Sequence, residues 1–222
     1  MDQSINEPPT VQLSPQLISI MTTEHYNLQT GRSMTIAEAN GRASLFVGAV
    51  SSSLIALTFV GQISQLGTAF YVFSLIVIPT LLFMGLTTFV RVLQSGLADM
   101  IYARGINRIR HLYLEYAPQM EPYFILSAND DGPDTMRYHG KGAPRLQSLF
   151  TMAGMVSIIN GVLVGAFVGL LLGVFVLPLW ACASLGVVSF ILSVAIHQRF
   201  QRQQWTRLNQ SLPVRFPSQP QQ

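Results

Sequence analysis

Charge is what this sequence has least of. Lys and Arg number 13 and Asp and Glu 10 in 222 residues, about a tenth of the chain where soluble domains carry about a quarter. The scarcity is local. Residues 43–90, between Arg42 and Arg91, hold no acidic or basic side chain, and residues 146–198, between Arg145 and Arg199, hold only His197. That excludes an ordinary water-soluble domain. It also counts against proton-coupled transporters and ion pumps, which carry a charged group inside the membrane, and against an intramembrane protease or transferase. Cysteine is nearly absent too: Cys182 stands alone, so no disulfide framework can form within one chain. His25, His111, His139 and His197 have no Cys or carboxylate at metal-ligand spacing. Asp130, Asp131 and Asp134 match no calcium-loop spacing. A P-loop, a dinucleotide fingerprint and a nucleophile elbow are all missing. The reading is of a chain with no enzyme activity, no cofactor and no metal. The first 40 residues, with Asp2, Glu7 and Glu24, lack the basic start and apolar core of a signal peptide.

What is present is long apolar sequence. A membrane-spanning helix needs about 20 apolar residues to cross roughly 30 Å of hydrocarbon. The two uncharged blocks are 48 and 53 residues long, so each is read as a helical hairpin. The expected fold is an all-α integral membrane protein with four transmembrane helices as two hairpins and a cytoplasmic segment between them. In sequence this gives an N-terminal segment 1–42, hairpin one at 43–90, the middle segment 91–147, hairpin two at 148–197 and a basic tail 198–222. The spans are 43–60, 68–90, 148–171 and 179–197, with uncharged turns at 61–67 and 174–180. Pro79 is expected to kink span two rather than break it, since lipid enforces helicity. Helical spacing of Leu97, Ile101, Ile109 and Leu112 carries that helix on to Tyr116, where Pro118 and Pro122 end it. Asn129 to Asp134 is turn chemistry. Near the start, Ser14 and Pro15 form a helix cap and first-turn proline. Gly31 is expected to interrupt that helix, with a second start near Ser33 leading through the i,i+4 pair Glu38–Arg42 into span one. The Pro/Gln-rich residues after Ser211 are expected to be disordered. Ser44-Leu-Phe and Ser148-Leu-Phe open the two hairpins and suggest duplication of one hairpin.

Three constellations stand out. Ala153, Ser157, Gly161, Gly165, Gly169 and Gly173 place a small residue at every fourth position of span three, drawing a nearly bare stripe along one helix face. In lipid such a stripe lets a second backbone approach closely. Its neighbour is a helix of the same chain, for instance the Gly48, Ser52, Ala56 face of span one, or another subunit around a central axis, or both. Asn160 is the strongest polar group in a span, either bonding across helices or lining a pore. Arg104, Arg108 and His111 share a helix face outside the membrane, where they would meet solvent, a protein partner or a small phosphate-bearing ligand, since Arg reads phosphate bidentately.

Basic residues flank the hairpins. Two precede span one, seven separate the hairpins and four follow span four, whereas neither intrahairpin turn has any. The positive-inside rule then puts both termini and the middle segment in the cytoplasm. The sequence pI near 9.3 reflects these membrane-flanking groups and anionic lipid, not nucleic acid. The run Thr35-Ile-Ala-Glu-Ala-Asn-Gly-Arg-Ala43 and the run Asn107-Arg-Ile-Arg-His-Leu-Tyr-Leu-Glu-Tyr-Ala-Pro118 resemble a family of uncharacterised bacterial four-span proteins. That resemblance covers residues 26–197 and implies an inner-membrane location without implying an activity. In span count and size the chain is also similar to small four-span effectors of bacterial anti-phage systems, which implies disruption of the inner membrane. The expectation is an oligomeric inner-membrane module, a pore or membrane-perturbing effector controlled by its cytoplasmic segment. The alternative is a non-conducting sensor that binds a ligand or protein partner on the cytoplasmic side.

Overall fold

The computed structural model describes residues 14–131, 148–175 and 177–218. Among them there is no strand. Four helices, each long and apolar enough to cross a membrane, make this an all-α multi-pass membrane protein. They are α1 (Pro15–Ile63), α2 (Thr68–Tyr116), α3 (Met152–Val174) and α4 (Leu179–Ser211), with a 3-10 turn, Pro118–Tyr123, after α2. At 1.5 Å per residue, the 49 residues of α1 and of α2 each extend about 74 Å, more than twice the hydrocarbon thickness. Both helices therefore run well beyond the bilayer.

The helix ends follow local chemistry. Ser14 Oγ accepts from Leu17 N at 3.3 Å, the N-cap bond that Ser followed by Pro foretells. Between α1 and α2 the chain turns in a Schellman motif: Leu66 N donates to Gly61 O at 2.9 Å and Gln65 N to Gln62 O at 3.4 Å. Gln65 and Leu66 adopt left-handed φ of 49° and 57°. A side chain at Gly67 would lie 2.8 Å from Ser64 O, so the turn closes on glycine. α2 passes through Pro79 unbroken. Thr151 caps α3 by accepting from Gly154 N at 3.0 Å.

Gly31 does not interrupt α1, contrary to expectation. The helix is continuous, and a methyl group at residue 31 would come within 3.0 Å of the Tyr102 ring. Glycine here admits an aromatic neighbour. A mid-helix glycine costs about 1 kcal/mol, and here it leaves room for the ring.

The chain forms two compact units. The first takes the described residues up to Thr35, those from Ala98 to Asp131 and those from Ser211 onward; the second takes residues 36–97 and the described residues from Ser148 to Gln210. In the second unit Ala43 and Phe46 of α1 meet Leu81, Phe89 and Val92 of α2 and Val156 and Leu163 of α3. Trp205 packs on the same cluster. The basic extension of α4 to residue 210 thus belongs to this unit. Glu38 accepts from Arg42 and Arg91, each at 2.9 Å, tying α1 to α2. Those two bonds hold its carboxyl below the usual carboxylate range. Outward faces are apolar: Phe83 is 72% and Leu45 73% exposed, as suits helices solvated by lipid.

The small-residue stripe of α3 meets α4, not the Gly48 face of α1. Gly48 has nothing within 4 Å of where a Cβ would stand, and Ser52 is exposed. On α4, Cys182, Gly186, Phe190 and Val194 form a stripe of the same period. A Cβ at Gly165 would stand 2.7 Å from Gly186 O, and one at Gly186 would stand 2.9 Å from Gly165 O. Gly161 faces Val194 and Phe190, while Gly173 faces Tyr71 of α2 at 3.6 Å. Ala153 is buried, and Ser157, fully buried, accepts from Gln198 Nε2 of α4 at 3.3 Å.

This geometry grades the stripe. Gly165→Ala should lower stability in detergent by about 1–3 kcal/mol, the usual cost of overpacking. Gly169→Ala, whose nearest neighbour is Cys182 O at 3.6 Å, should stay within about 0.5 kcal/mol of wild type. Thermal unfolding of both variants checks this, and equal tolerance would mean that the α3–α4 contact is not close.

Candidate functional site

Arg104, Arg108 and His111 lie at i, i+4 and i+7 of α2, so one helix face presents all three. That face is covered by the chain's own C-terminal segment. Arg104, only 3% exposed, donates from Nη1 to Leu212 O at 3.2 Å. Arg108 donates from Nη2 to Pro213 O at 2.7 Å and from Nε to the Asp130 carboxylate at 2.6 Å. The His111 ring stacks on Phe216 with centroids 3.9 Å apart and planes inclined by 23°. Residues 212–218 are thus held in place, where composition alone predicts disorder. Pro213 and Pro217 restrict the free chain and lower the entropy cost of fixing it.

Asp130 is the centre of this arrangement and is fully buried. Its carboxylate accepts from Arg215 N at 3.0 Å and Phe216 N at 2.8 Å, and its own N–H donates to Phe216 O at 3.1 Å. Asp131 accepts from Ser218 N at 2.9 Å and from the Ser218 hydroxyl. The loop that carries both acids is anchored to α2, since Asn107 Nδ2 donates to Asn129 O at 2.8 Å. In sequence the two aspartates read as turn formers. Their partners in the C-terminal segment lie 85 residues or more away, and no local pattern announces such a pairing. Asp134 and His139 lie outside the described residues. Among the described residues no group of three or more His, Cys, Asp or Glu could hold a metal.

Burial alone would raise the Asp130 pKa, but the bonds from Phe216 N, Arg108 and Arg215 N outweigh it and hold the carboxyl below its ordinary value. The ion pair also bears on ligand choice. A phosphate reaching Arg108 would have to displace the Asp130 carboxylate from Nε and a carbonyl from Nη2. The site is filled by the Leu212 and Pro213 carbonyls and the Arg215 and Phe216 N–H groups.

Beside it lies a surface groove of about 710 Å³ that includes His111, Leu114, Pro118, Phe124 and Asn129. Elsewhere in the same unit Arg32 pairs with Asp99 at 2.7 Å, and Leu28 fills the space over Gly105. His25 stacks on Tyr113. Burial, reinforced by Arg110, holds the His25 pKa below its ordinary value.

Asn160, the other polar residue singled out in sequence, lies inside the second unit and is 2% exposed. Neither its Nδ2 nor its Oδ1 has a hydrogen-bond partner among the described residues. Among the described residues the expected bond across helices is therefore not made. The carboxamide instead presses on Gly85 of α2, with Oδ1 in the space a Cβ would take and Phe46 Cζ 2.7 Å from the same point.

The sequence matches no protein-family model, no curated protein and no solved structure. Nothing in these comparisons assigns the chain to a family.

Two outcomes follow from this geometry. Gly85→Ala should destabilise the protein by about 1–3 kcal/mol, and Asn160→Ala in the same chain should recover most of that loss by vacating the contested space; chemical denaturation of the single and double variants reads the coupling. For Asp130, a lowered folded-state pKa means that its contribution is complete above the ordinary carboxylate range and is lost as pH falls through the depressed value. Hydrogen-exchange protection of the Arg215 and Phe216 amides should therefore hold from neutral pH down to the ordinary carboxylate range and vanish only below it. Loss of protection well above that range would assign the hold to another group.

Proposed function

We infer that this protein is a non-conducting membrane sensor that binds a protein partner through the α2 face now covered by residues 212–218. The observation that carries this reading is the Asp130-centred capture of that segment, because it is a peptide-binding arrangement outside the apolar spans. In the charge-based orientation, with seven Lys and Arg between the hairpins and none in the intrahairpin turns, this face and both termini lie in the cytoplasm. The resemblance to uncharacterised bacterial four-span proteins supports the bacterial inner membrane as its location.

The pore reading has less support. A path lined by α3 needs its small stripe or Asn160 free for a neighbouring subunit. Gly161 and Gly165 are taken up by α4, and Asn160 by Gly85. A homo-oligomer, if formed, would have to use other faces of the helices.

Ion flux in reconstituted vesicles tests the reading. Wild-type protein and the Asp130→Ala variant, in which the segment is released, should both leak no faster than empty vesicles. Flux from Asp130→Ala alone would overturn the sensor reading and restore a pore gated by the C-terminal segment.

A further inference from the structure

We propose that the Asp130 site is an exchangeable peptide-recognition site, filled in the resting chain by its own residues 212–218 and able to take the same segment from a second copy. The proposal rests on the reading of this face as a partner-binding site and names the partner.

The contacts are those of a bound peptide. Leu212 and Pro213 offer carbonyls to Arg104 and Arg108; Arg215 and Phe216 offer N–H groups to Asp130; Ser218 offers N–H and hydroxyl to Asp131. Most of this is main-chain recognition, with side-chain specificity coming from the Phe216 ring on His111 and from the Ser218 hydroxyl. Val214, Arg215 and Pro217 remain exposed. Departure of the segment would uncover the Phe216 and His111 rings and leave backbone groups that water can satisfy.

Asp130 makes the empty site unfavourable. The buried carboxylate has three sources of donors, and two of them, Arg215 N and Phe216 N, come from the segment. Without it, Arg108 is the partner that stays. A second copy carries an identical segment, so its docking requires no new complementarity. This is the economy of domain swapping, in which the same contacts form between chains rather than within one. The covalent tether gives the resting segment an effective concentration on the order of millimolar, so exchange becomes favourable where copies are crowded in one bilayer or where the tether is strained.

The test pairs two full-length variants that are defective in opposite ways. Asp130→Ala keeps an intact segment and lacks the site's centre; Phe216→Ala keeps the site and lacks the ring that fills it. Each is reconstituted alone and then both together in the same vesicles, and trypsin cleavage after Arg215 is followed by mass spectrometry as release of residues 216–222. Wild type should be cleaved at least ten times more slowly than Asp130→Ala. Adding Phe216→Ala should slow cleavage of the Asp130→Ala chain several-fold, and the two chains should co-purify. A synthetic peptide of residues 211–222 should bind the Phe216→Ala chain and, in excess, remove the protection of the Asp130→Ala chain. Peptide binding without that protection would overturn the second copy as occupant. Equal cleavage of wild type and Asp130→Ala would overturn the site itself. A leak from vesicles would count against the non-conducting reading and leave the exchange standing.

Discussion

Hydrocarbon hydrogen-bonds no peptide group, and it dissolves leucine as readily as a protein core does. The first fact forces the spans to be helices. The second removes the hydrophobic effect as a reason for those helices to touch. What remains is contact between closely fitted surfaces, and in the apolar unit Gly165 of α3 and Gly186 of α4 bring backbone against backbone. The other features of the α3–α4 pair are consistent with it. Cys182, Phe190 and Val194 sit at whole turns from Gly186, and Gln198 reaches Ser157 and Ser148 only because the two helices run close together.

Much of this was legible in the sequence because lipid punishes charge so heavily that gaps in charge mark the spans. Four spans, two uncharged turns, the run of α2 through Pro79 to Tyr116 and the shared face of Arg104, Arg108 and His111 all follow from periodicity and composition. The identity of the stripe's neighbour does not. Periodicity reports which face of a helix is small, and α1 and α4 both offer small residues. The choice lies in crossing geometry, which one helix's pattern does not encode. Gly31 misleads for a related reason. A glycine required by a neighbouring ring is indistinguishable, in one sequence, from a glycine that ends a helix.

The C-terminal segment shows the limit most clearly. Leu-Pro-Val-Arg-Phe-Pro-Ser, residues 212–218, has little apolar surface to bury, and its composition predicts disorder. Its order is borrowed from Asp130 and Asp131, more than 80 residues earlier in the chain. Such order is carried by a few directed bonds to a charge, and a composition average has no access to those.

Those bonds also decide what kind of attachment the segment has. An apolar anchor would hold by area removed from water, and its release would be opposed by the whole of that area. A backbone N–H released from a carboxylate is taken up by water, so the net difference per bond is small, about 1.5–3 kcal/mol even for charge-assisted bonds. The resistance to release comes instead from Asp130, a buried charge that loses two of its donors when the segment leaves. Attachment therefore depends on suitably placed N–H groups together with a ring for His111, and any chain end that supplies both can take the place of this one. That is the property of a recognition site, and it sets residues 212–218 apart from the helices, whose packing leaves nothing to exchange.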